Sequence, residues 1–378
     1  MPPDIKLRVS GQEYSGWKTA RVTRGIEAVA GGFELGVSDR WAGQEKPWPI
    51  REEDECALFI GGKQIIKGVV DKRAPSFGSR EHSLKVSGRD KTAEMIDCSA
   101  DVGVWEFVNT NLLALASQLA SPYGIDVSMQ PGIDPPAPVA RLTIDPGETS
   151  FEALERACRL AGMLAVSDGD GGLVLTRAGT ARCGTSLVQG ENILSASGNF
   201  DSTGRFRHYK VLAQHQGSES LYSTQAAGIS GTAEDSGVRR ASRSLIIRAD
   251  GNASQAQART RAQWEAIVRA ARGQAFHVTV QGWTQGDGSL WPINALVHLK
   301  SEYLEVDSDV LISEATYSLE AGGTTTQLTL KRPDAFKPKP TVAVVNSGLW
   351  SELGGAIKVT QASAPTPASF PHDYSVKR

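Results

Sequence analysis

Residues 276–336 constrain the fold more than any other stretch, because their apolar and polar side chains alternate with a period of two. Phe276, Val278 and Val280 interleave with His277, Thr279 and Gln281, the signature of a strand with one buried face. Residues 310–319 form a second run, with Ala315, Tyr317 and Leu319 on one face and Thr316 and Ser318 on the other. Gly322 and Gly323 turn the chain, and residues 324–330 return with Leu328 and Leu330 inward. This predicts a hairpin in which Gly supplies the positive φ. Pro333 ends the ladder because it has no N–H to donate. The stretch predicts a small antiparallel barrel. It holds no catalytic constellation, so what it implies about function concerns assembly.

Residues 1–90 repeat the pattern. Ile5, Leu7 and Val9 alternate with Lys6 and Arg8, and a strand that starts at Ala20 and Val22 follows. Phe33, Leu35 and Val37 alternate after Gly31-Gly32, and Cys56, Leu58 and Ile60 precede the tight turn at Gly61-Gly62. Residues 65–70 and 83–87 supply further strands, while residues 38–55 read as a polar loop carrying Trp41 and Trp48. Short strands with Gly turns predict a sandwich or barrel.

The periodicity changes after Gly88-Arg89-Asp90. Asn109 or Thr110 can cap a helix with the stripe Leu112, Leu115, Ala116 and Leu119, which Pro122 ends. Thr149 and Glu152 have capping-box spacing, and Phe151, Leu154, Cys158 and Ala161 line one face up to Gly162, a C-cap. Residues 163–166 and 173–176 predict a hairpin. Strands resume near residue 185, and residues 214–240 are polar and Gly/Ser-rich, which predicts a long loop. Residues 252–272 predict the longest helix, with Trp264, Ile267, Val268 and Ala271 on one face and Arg269 and Arg272 in the last turn. The predicted fold is mainly β with an α+β insertion: a β-barrel-like domain over 1–90, an α+β domain over 91–180, and a second β-barrel-like domain over 181–336. Residues 337–378 are an extended, Pro-containing C-terminal extension.

The formal net charge is −2, which argues against wrapping nucleic acid, since that takes a clustered basic excess. No apolar run approaches the roughly 20 residues of a membrane span, and the first residues, MPPDIKLRVS, lack the basic head and apolar core of a signal peptide. Cys56, Cys98, Cys158 and Cys183 form no CxxC motif and have no His pair at zinc-ligand spacing. They predict reduced, mostly buried thiols, with no metal and no cofactor expected.

Each chemical motif has a plainer reading beside it. Asp168-Gly-Asp170-Gly-Gly172 begins like a calcium loop but lacks the closing Glu, so it reads as a hairpin turn. His208 and His215 are seven residues apart, which fits no ligand spacing. Glu302, Glu305, Asp307 and Asp309 could mimic a glycosidase pair but read as a solvated strand edge. Arg24 reads as a structural ion-pairing residue. Trp283 and Trp291 flank the Gly-rich turn at 285–289. They could pack within the barrel, or stand exposed as interface anchors or a sugar platform. No catalytic residue is identified.

A longer pattern runs through these segments. Gly16-Trp17, VTRGIEAVAGGFELGV from residue 22, GRDKTAEMIDCSA at 88–100 and LALASQLASPYGIDV at 113–127 resemble the baseplate hub protein of Mu-like contractile phages. So do SFEALERACRLAGMLAVSDGDGGLVLTRAG at 150–179, ARTRAQWEAIVRAARG at 258–273, LWPINALVHLK and GTTTQLTLKRPDAF. The resemblance covers about residues 5–336. It looks like the wider superfamily of late control D and VgrG-like hubs, which includes the base of the type VI secretion spike. It implies a structural virion protein, not an enzyme, forming a homotrimer whose paired barrels make a pseudo-sixfold ring. That ring would join the tail tube, or an adaptor at its end, to a central spike, contact other baseplate proteins and let DNA pass without specific binding. It also implies assembly in the host bacterial cytoplasm and residence in the virion baseplate. In that setting the Trp283–Trp291 hairpin reads better as an assembly contact. A tail-associated peptidoglycan hydrolase and a carbohydrate-binding module are the alternatives.

Overall fold

The computed structural model describes residues 4–38, 48–79, 82–179, 181–214 and 229–340. Seven strands come first: β1 (Ile5–Val9), β2 (Gln12–Tyr14), β3 (Thr19–Gly25), β4 (Gly32–Val37), β5 (Glu55–Ile60), β6 (Lys63–Phe77) and β7 (His82–Asp90). Their alternation holds. Ile5, Leu7, Val9, Leu35, Leu58, Ile66 and Val86 are all buried.

The middle of the chain forms α1 (Glu94–Asp97), β8 (Glu106–Thr110), α2 (Leu112–Ala120), β9 (Val127–Met129), β10 (Val139–Thr143), α3 (Ser150–Ala161), β11 (Leu164–Ser167) and β12 (Leu173–Thr176). The cap of α2 is Asn111, whose side chain accepts from the Leu113 amide at 2.8 Å, one residue past the expected candidates. At α3 the Thr149–Glu152 capping box forms in both directions, at 2.9 and 3.2 Å. Gly162 ends that helix at φ +65°, a left-handed conformation that Gly adopts without strain. Leu112, Leu115, Leu119, Leu154 and Cys158 fill the core of this α+β unit, to which Val29 of the first β region also contributes.

The remaining elements are β13 (Ala181–Arg182), β14 (Leu187–Val188), β15 (Ile193–Phe200), β16 (His208–Gln214), β17 (Ile229–Glu234), β18 (Ser244–Asn252), α4 (Gln255–Arg272), β19 (Gln274–Gln281), β20 (Ala295–Ser301), β21 (Val306–Glu320) and β22 (Gly323–Lys331). The first seven of the chain's strands join β13–β15 and β19–β22 in one fourteen-stranded sheet. Its main path runs β15-β19-β22-β21-β3-β4-β7-β6-β5-β1-β2. No closed barrel forms among the described residues, which corrects the barrel expectation. The physical reason lies in β21. Its first half pairs with β20, from Val306↔Ser301 to Leu311↔Leu296. Its second half pairs with β3, from Glu314↔Gly25 to Leu319↔Ala20. A strand edge that would have closed the later sheet on itself is instead occupied by the first sheet. The two β regions consequently share one core, in which Val22, Phe33 and Leu35 lie with Val278, Ile312, Tyr317 and Leu328.

The polar stretch at 214–240 holds more order than its composition suggests. Residues 215–228, including His215, lie outside the described residues, but 229–234 form β17. It pairs with β16 in a separate three-stranded sheet, β17-β16-β18. One face of that sheet packs on α4 through Tyr209, Val211, Ala213, Ala258, Ala262 and Ala266. Of the expected stripe, Val268 and Ala271 are buried, whereas Trp264 is half-buried and Ile267 exposed. Small residues are required because the backbones nearly touch: a Cβ on Gly231 would lie 2.1 Å from the Arg259 nitrogen. Gly231→Val is therefore expected to push α4 off its sheet and lower stability by about 1–3 kcal/mol. Hydrogen exchange should show protection lost across 208–214 and 229–272 but kept in the fourteen-stranded sheet. Unchanged protection at these sites would refute the close approach. No helix among the described residues is long and apolar enough to cross a membrane. Trp41 and the extension from residue 341 onward fall outside the described residues.

Candidate assembly surface

The two singled-out tryptophans sit inside the protomer. Trp283 is 1 % and Trp291 2 % exposed, both in the shared core. The Trp283 indole donates to the Ser318 carbonyl at 2.9 Å. The Tyr317 hydroxyl donates to the Trp291 carbonyl. The 282–292 hairpin thus folds back over β21, and neither ring presents a face to a partner. The exposed-anchor reading of Trp283 and Trp291 is corrected, because the rings cover the β21 strand that carries the seam between the two β regions.

The carboxylates at the start of β21 are held by neighbouring side chains. Asp309 faces His298 across the β20–β21 ladder and takes Arg182 at 2.5 Å. The Arg182 hydrogen bond, reinforced by His298, holds its carboxyl below the usual range. Asp307 lies 3.0 Å from the other His298 nitrogen. Glu302 and Glu305 belong to the exposed turn between the two strands. This arrangement ties strands together and leaves no opposed pair across a cleft. Asp168 caps its own turn, accepting from the Asp170 and Gly172 amides at 2.7 and 2.9 Å. Among the described residues no group of three or more His, Cys, Asp or Glu side chains is placed to hold a metal. His208 stands exposed on β16. Cys56 and Cys158 are buried and Cys98 and Cys183 half-buried, all four unpaired. Burial pushes the Cys56 and Cys158 thiols up to about 12, which keeps them protonated and unreactive.

Arg24 has a structural role, although its partner is a carbonyl. Its guanidinium reaches from β3 to the Ser167 carbonyl at 2.8 Å. Ser167 in turn donates its hydroxyl to Asp90 at 2.5 Å. Asp90 is 1 % exposed. Burial raises its carboxyl to about 6, against the lowering effects of the Ser167 hydrogen bond and the Arg24 charge. This trio ties the end of β7, the seam strand β3 and the β11–β12 hairpin together. Composition and spacing carried no signal for Asp90, which sits in an ordinary polar tripeptide.

The features open to partners lie elsewhere. Among the described residues β15 forms one end of the large sheet and pairs only with β19. Residues 194–200 of it are all exposed and contain neither charge nor proline, so the edge has none of the usual protection against a further strand. Leu194 and Phe200 are more than half exposed on it. The β6–β7 hairpin carries Phe77 near its tip, 84 % exposed and stacked on His82. Trp105 and Val108 stand exposed at the β8–β10 ribbon. On the β17-β16-β18 sheet, the face away from α4 exposes Leu212 and Ile246.

Comparison with known proteins gives a consistent result. Residues 4–90 match the family model described as Mu phage baseplate assembly protein GpP-like, N-terminal. Residues 92–177 match baseplate hub protein gp44-like, second domain, and residues 254–339 match Mu phage baseplate assembly protein GpP, fourth domain. The chain is 34 % identical over 343 residues to the baseplate hub protein gp44 of Escherichia phage Mu, covering 89 % of each chain. Among solved structures it superposes on a 43 kDa tail protein of prophage MuSo2 from Shewanella oneidensis. That match has a TM-score of 0.78 and 34 % identity, and covers 89 % of this chain and all of the other. The tail protein from Neisseria meningitidis MC58 shares the fold at a TM-score of 0.74 and 22 % identity, over 90 % and 99 % of the two chains.

Proposed function

The chain belongs to the Mu-like phage baseplate hub family, and from that premise we propose how it assembles. Its role is that of a structural hub in the phage tail, not of an enzyme, and as such it is part of the phage particle. In our reading three copies form a ring in which the β regions of 1–90 and 181–336 alternate. The α+β unit of 91–180 and the 337–378 extension face other baseplate proteins. The ring joins the tail tube, directly or through an adaptor, to the central spike, and leaves an axial path for DNA.

The observation that carries this reading is the bare β15 edge on a sheet that already uses strand pairing to join its two halves. Within the chain, β3 and β21 meet through main-chain hydrogen bonds and a Thr23–Thr316 hydroxyl contact at 3.0 Å. Main-chain pairing needs little side-chain specificity, so a further copy can add to β15 by the same means. A head-to-tail contact of this kind closes into a ring when its rotation is a third of a turn. Native mass spectrometry at micromolar protein is expected to give the mass of a trimer, alone or with the spike protein added. A monomer under both conditions would sink the proposal.

A further inference from the structure

The two β regions are built on one plan. In the first, β3 to β7 pair in the order β5-β6-β7-β4-β3, and in the second β15 and β19 to β22 pair in the order β20-β21-β22-β19-β15. All of these pairings are antiparallel. The correspondence extends to register. In the first region Val70 pairs with Gly88, Lys72 with Ser87 and Phe77 with His82, around a bulge at Asp71. In the second, Ile312 pairs with Leu330, Glu314 with Thr329 and Leu319 with Thr324, around a bulge at Ser313. One constant spacing relates the first three pairs to the other three, so β6 is the counterpart of β21. Through β4 and β19, Ala20 and Val22 of β3 correspond to Ala196 and Gly198 of β15.

The counterparts differ in what lies beside them. Past its bulge, β21 pairs with β3 to make the seam. Past its own bulge, β6 pairs among the described residues only with β7, because β5 leaves it at Val69. β15, the counterpart of β3, likewise has β19 alone. Six strands separate β6 from β15 in a sheet that does not close on itself, so one chain holds both halves of a second seam apart. The main-chain groups of the two edges match. The Ile26 amide donates to the Ser313 carbonyl at 2.9 Å, and alternation from there points Ala315, Tyr317 and Leu319 at β3. Their counterparts Arg73, Pro75 and Phe77 therefore point outward. On β15 the Asp201 amide donates to the Gly273 carbonyl at 2.7 Å, on the β19 side, so Ala196, Gly198 and Phe200 point outward too. Apolar side chains stand bare along both edges, Phe77 at 84 % and Phe200 at 57 % exposure. The Phe200 ring already rests edge-on against Phe276 of the shared core, at 5.7 Å.

We infer that the outer edge of β6 at residues 72–77 adds antiparallel to β15 of a second copy of this chain, in the register of the β21–β3 seam. Arg73 then lies opposite Phe200, Pro75 opposite Gly198 and Phe77 opposite Ala196. Phe77 on Ala196 repeats the large-on-small fit of Leu319 on Ala20, and a guanidinium beside an aromatic ring is itself favourable. Lys72 meets Asp201 at one end, both exposed in the protomer. Pro75 forfeits a single bond of the new ladder and none within its own hairpin, since the missing N–H is on the outward side. The inference rests on the trimeric reading above and adds to it which strands meet and in what register.

The test uses the full-length chain in a Cys98→Ser, Cys183→Ser background. Ser76 and Ser197 face each other in this register as a non-hydrogen-bonded pair, whose Cα atoms lie about 4.5 Å apart, within disulfide reach. Ser76→Cys copies mixed with Ser197→Cys copies should form a disulfide-linked dimer on mild oxidation, and neither kind alone should do so. A chain carrying both substitutions should give a covalent trimer on a non-reducing gel. Ser76→Cys mixed with Ala196→Cys should stay unlinked, because those side chains leave opposite faces of the sheet. Separately, Ala196→Pro removes an outward N–H and leaves the β19 side of the strand intact, so it should raise the dissociation constant of the trimer at least ~10-fold with the circular dichroism spectrum unchanged. A trimer that tolerates Ala196→Pro and never forms the 76–197 disulfide overturns the inference while leaving the hub assembly standing. Linking at Ala196 in place of Ser197 overturns the register. A wild-type protein that stays monomeric with spike present overturns both readings.

Discussion

Trp283→Ala is expected to destabilise the protein by about 3–5 kcal/mol, the usual effect of removing a large aromatic from a packed core. The ring is 1 % exposed within the core common to both β regions. Its removal leaves a cavity and also strips the Ser318 carbonyl of its indole donor, whose loss adds a desolvation cost. Ser318 pairs with Arg21 across the β3–β21 ladder, so the damage reaches the strand seam between the two β regions. Urea denaturation followed by circular dichroism should show a markedly lower midpoint, with Trp283→Phe intermediate. The opposite pattern, an unchanged midpoint with weakened oligomer, would mean that the ring serves a partner and that its burial here is incidental.

The local parts of this fold could be read from the residues because their causes are local. Thr149 and Glu152 announce the start of α3, Gly162 its end, and the alternations at Ile5–Val9 and Gln274–Gln281 their strands. The closure of the sheet could not be read. Thr23 and Thr316 meet across 293 residues of sequence, and an alternating strand carries the same pattern whether its edge closes a barrel or receives a distant strand. The face of α4 was legible only in part. Val268 and Ala271 are buried as their spacing suggests, but Trp264 and Ile267 are not, because the helix lies so close to Gly231 that Ala258, Ala262 and Ala266 pack on the sheet there.

The assembly surface was less legible than the fold. A tryptophan beside a Gly-rich turn has the same sequence whether it points out as an anchor or folds back as a lid. Trp283 and Trp291 do the latter because β21 offers carbonyl and hydroxyl partners 26–35 residues further on. The bare β15 edge is defined by a negative, the lack of charge and proline over 194–200. It becomes meaningful only once the strand is known to be terminal.

Asp90 provides the second large effect, and it depends on pH. Its carboxyl lies near 6 in the folded chain against 3.8 for an unburied aspartate, a gap equivalent to about 3 kcal/mol. The folded state therefore holds the proton more tightly than the unfolded state. Its contribution to stability is greatest below about 4, falls as pH rises from about 4 to about 6, and stays low above that. Asp90→Asn removes the ionisation while keeping an oxygen that can accept from Ser167. The variant should match wild type near pH 4 and surpass it by up to about 3 kcal/mol at pH 7.5. The denaturation midpoint, measured at fixed protein concentration across this range, should have a shallower pH slope than wild type. An unaltered slope would show that the carboxyl is already neutral or fully compensated at the junction. Because Asp90, Ser167 and Arg24 come from β7, β11 and β3, the same titration measures how firmly the α+β unit is fastened to the seam. An ionised carboxylate kept in an almost sealed site weakens that fastening at neutral pH, and the attraction of Arg24 offsets only part of the cost.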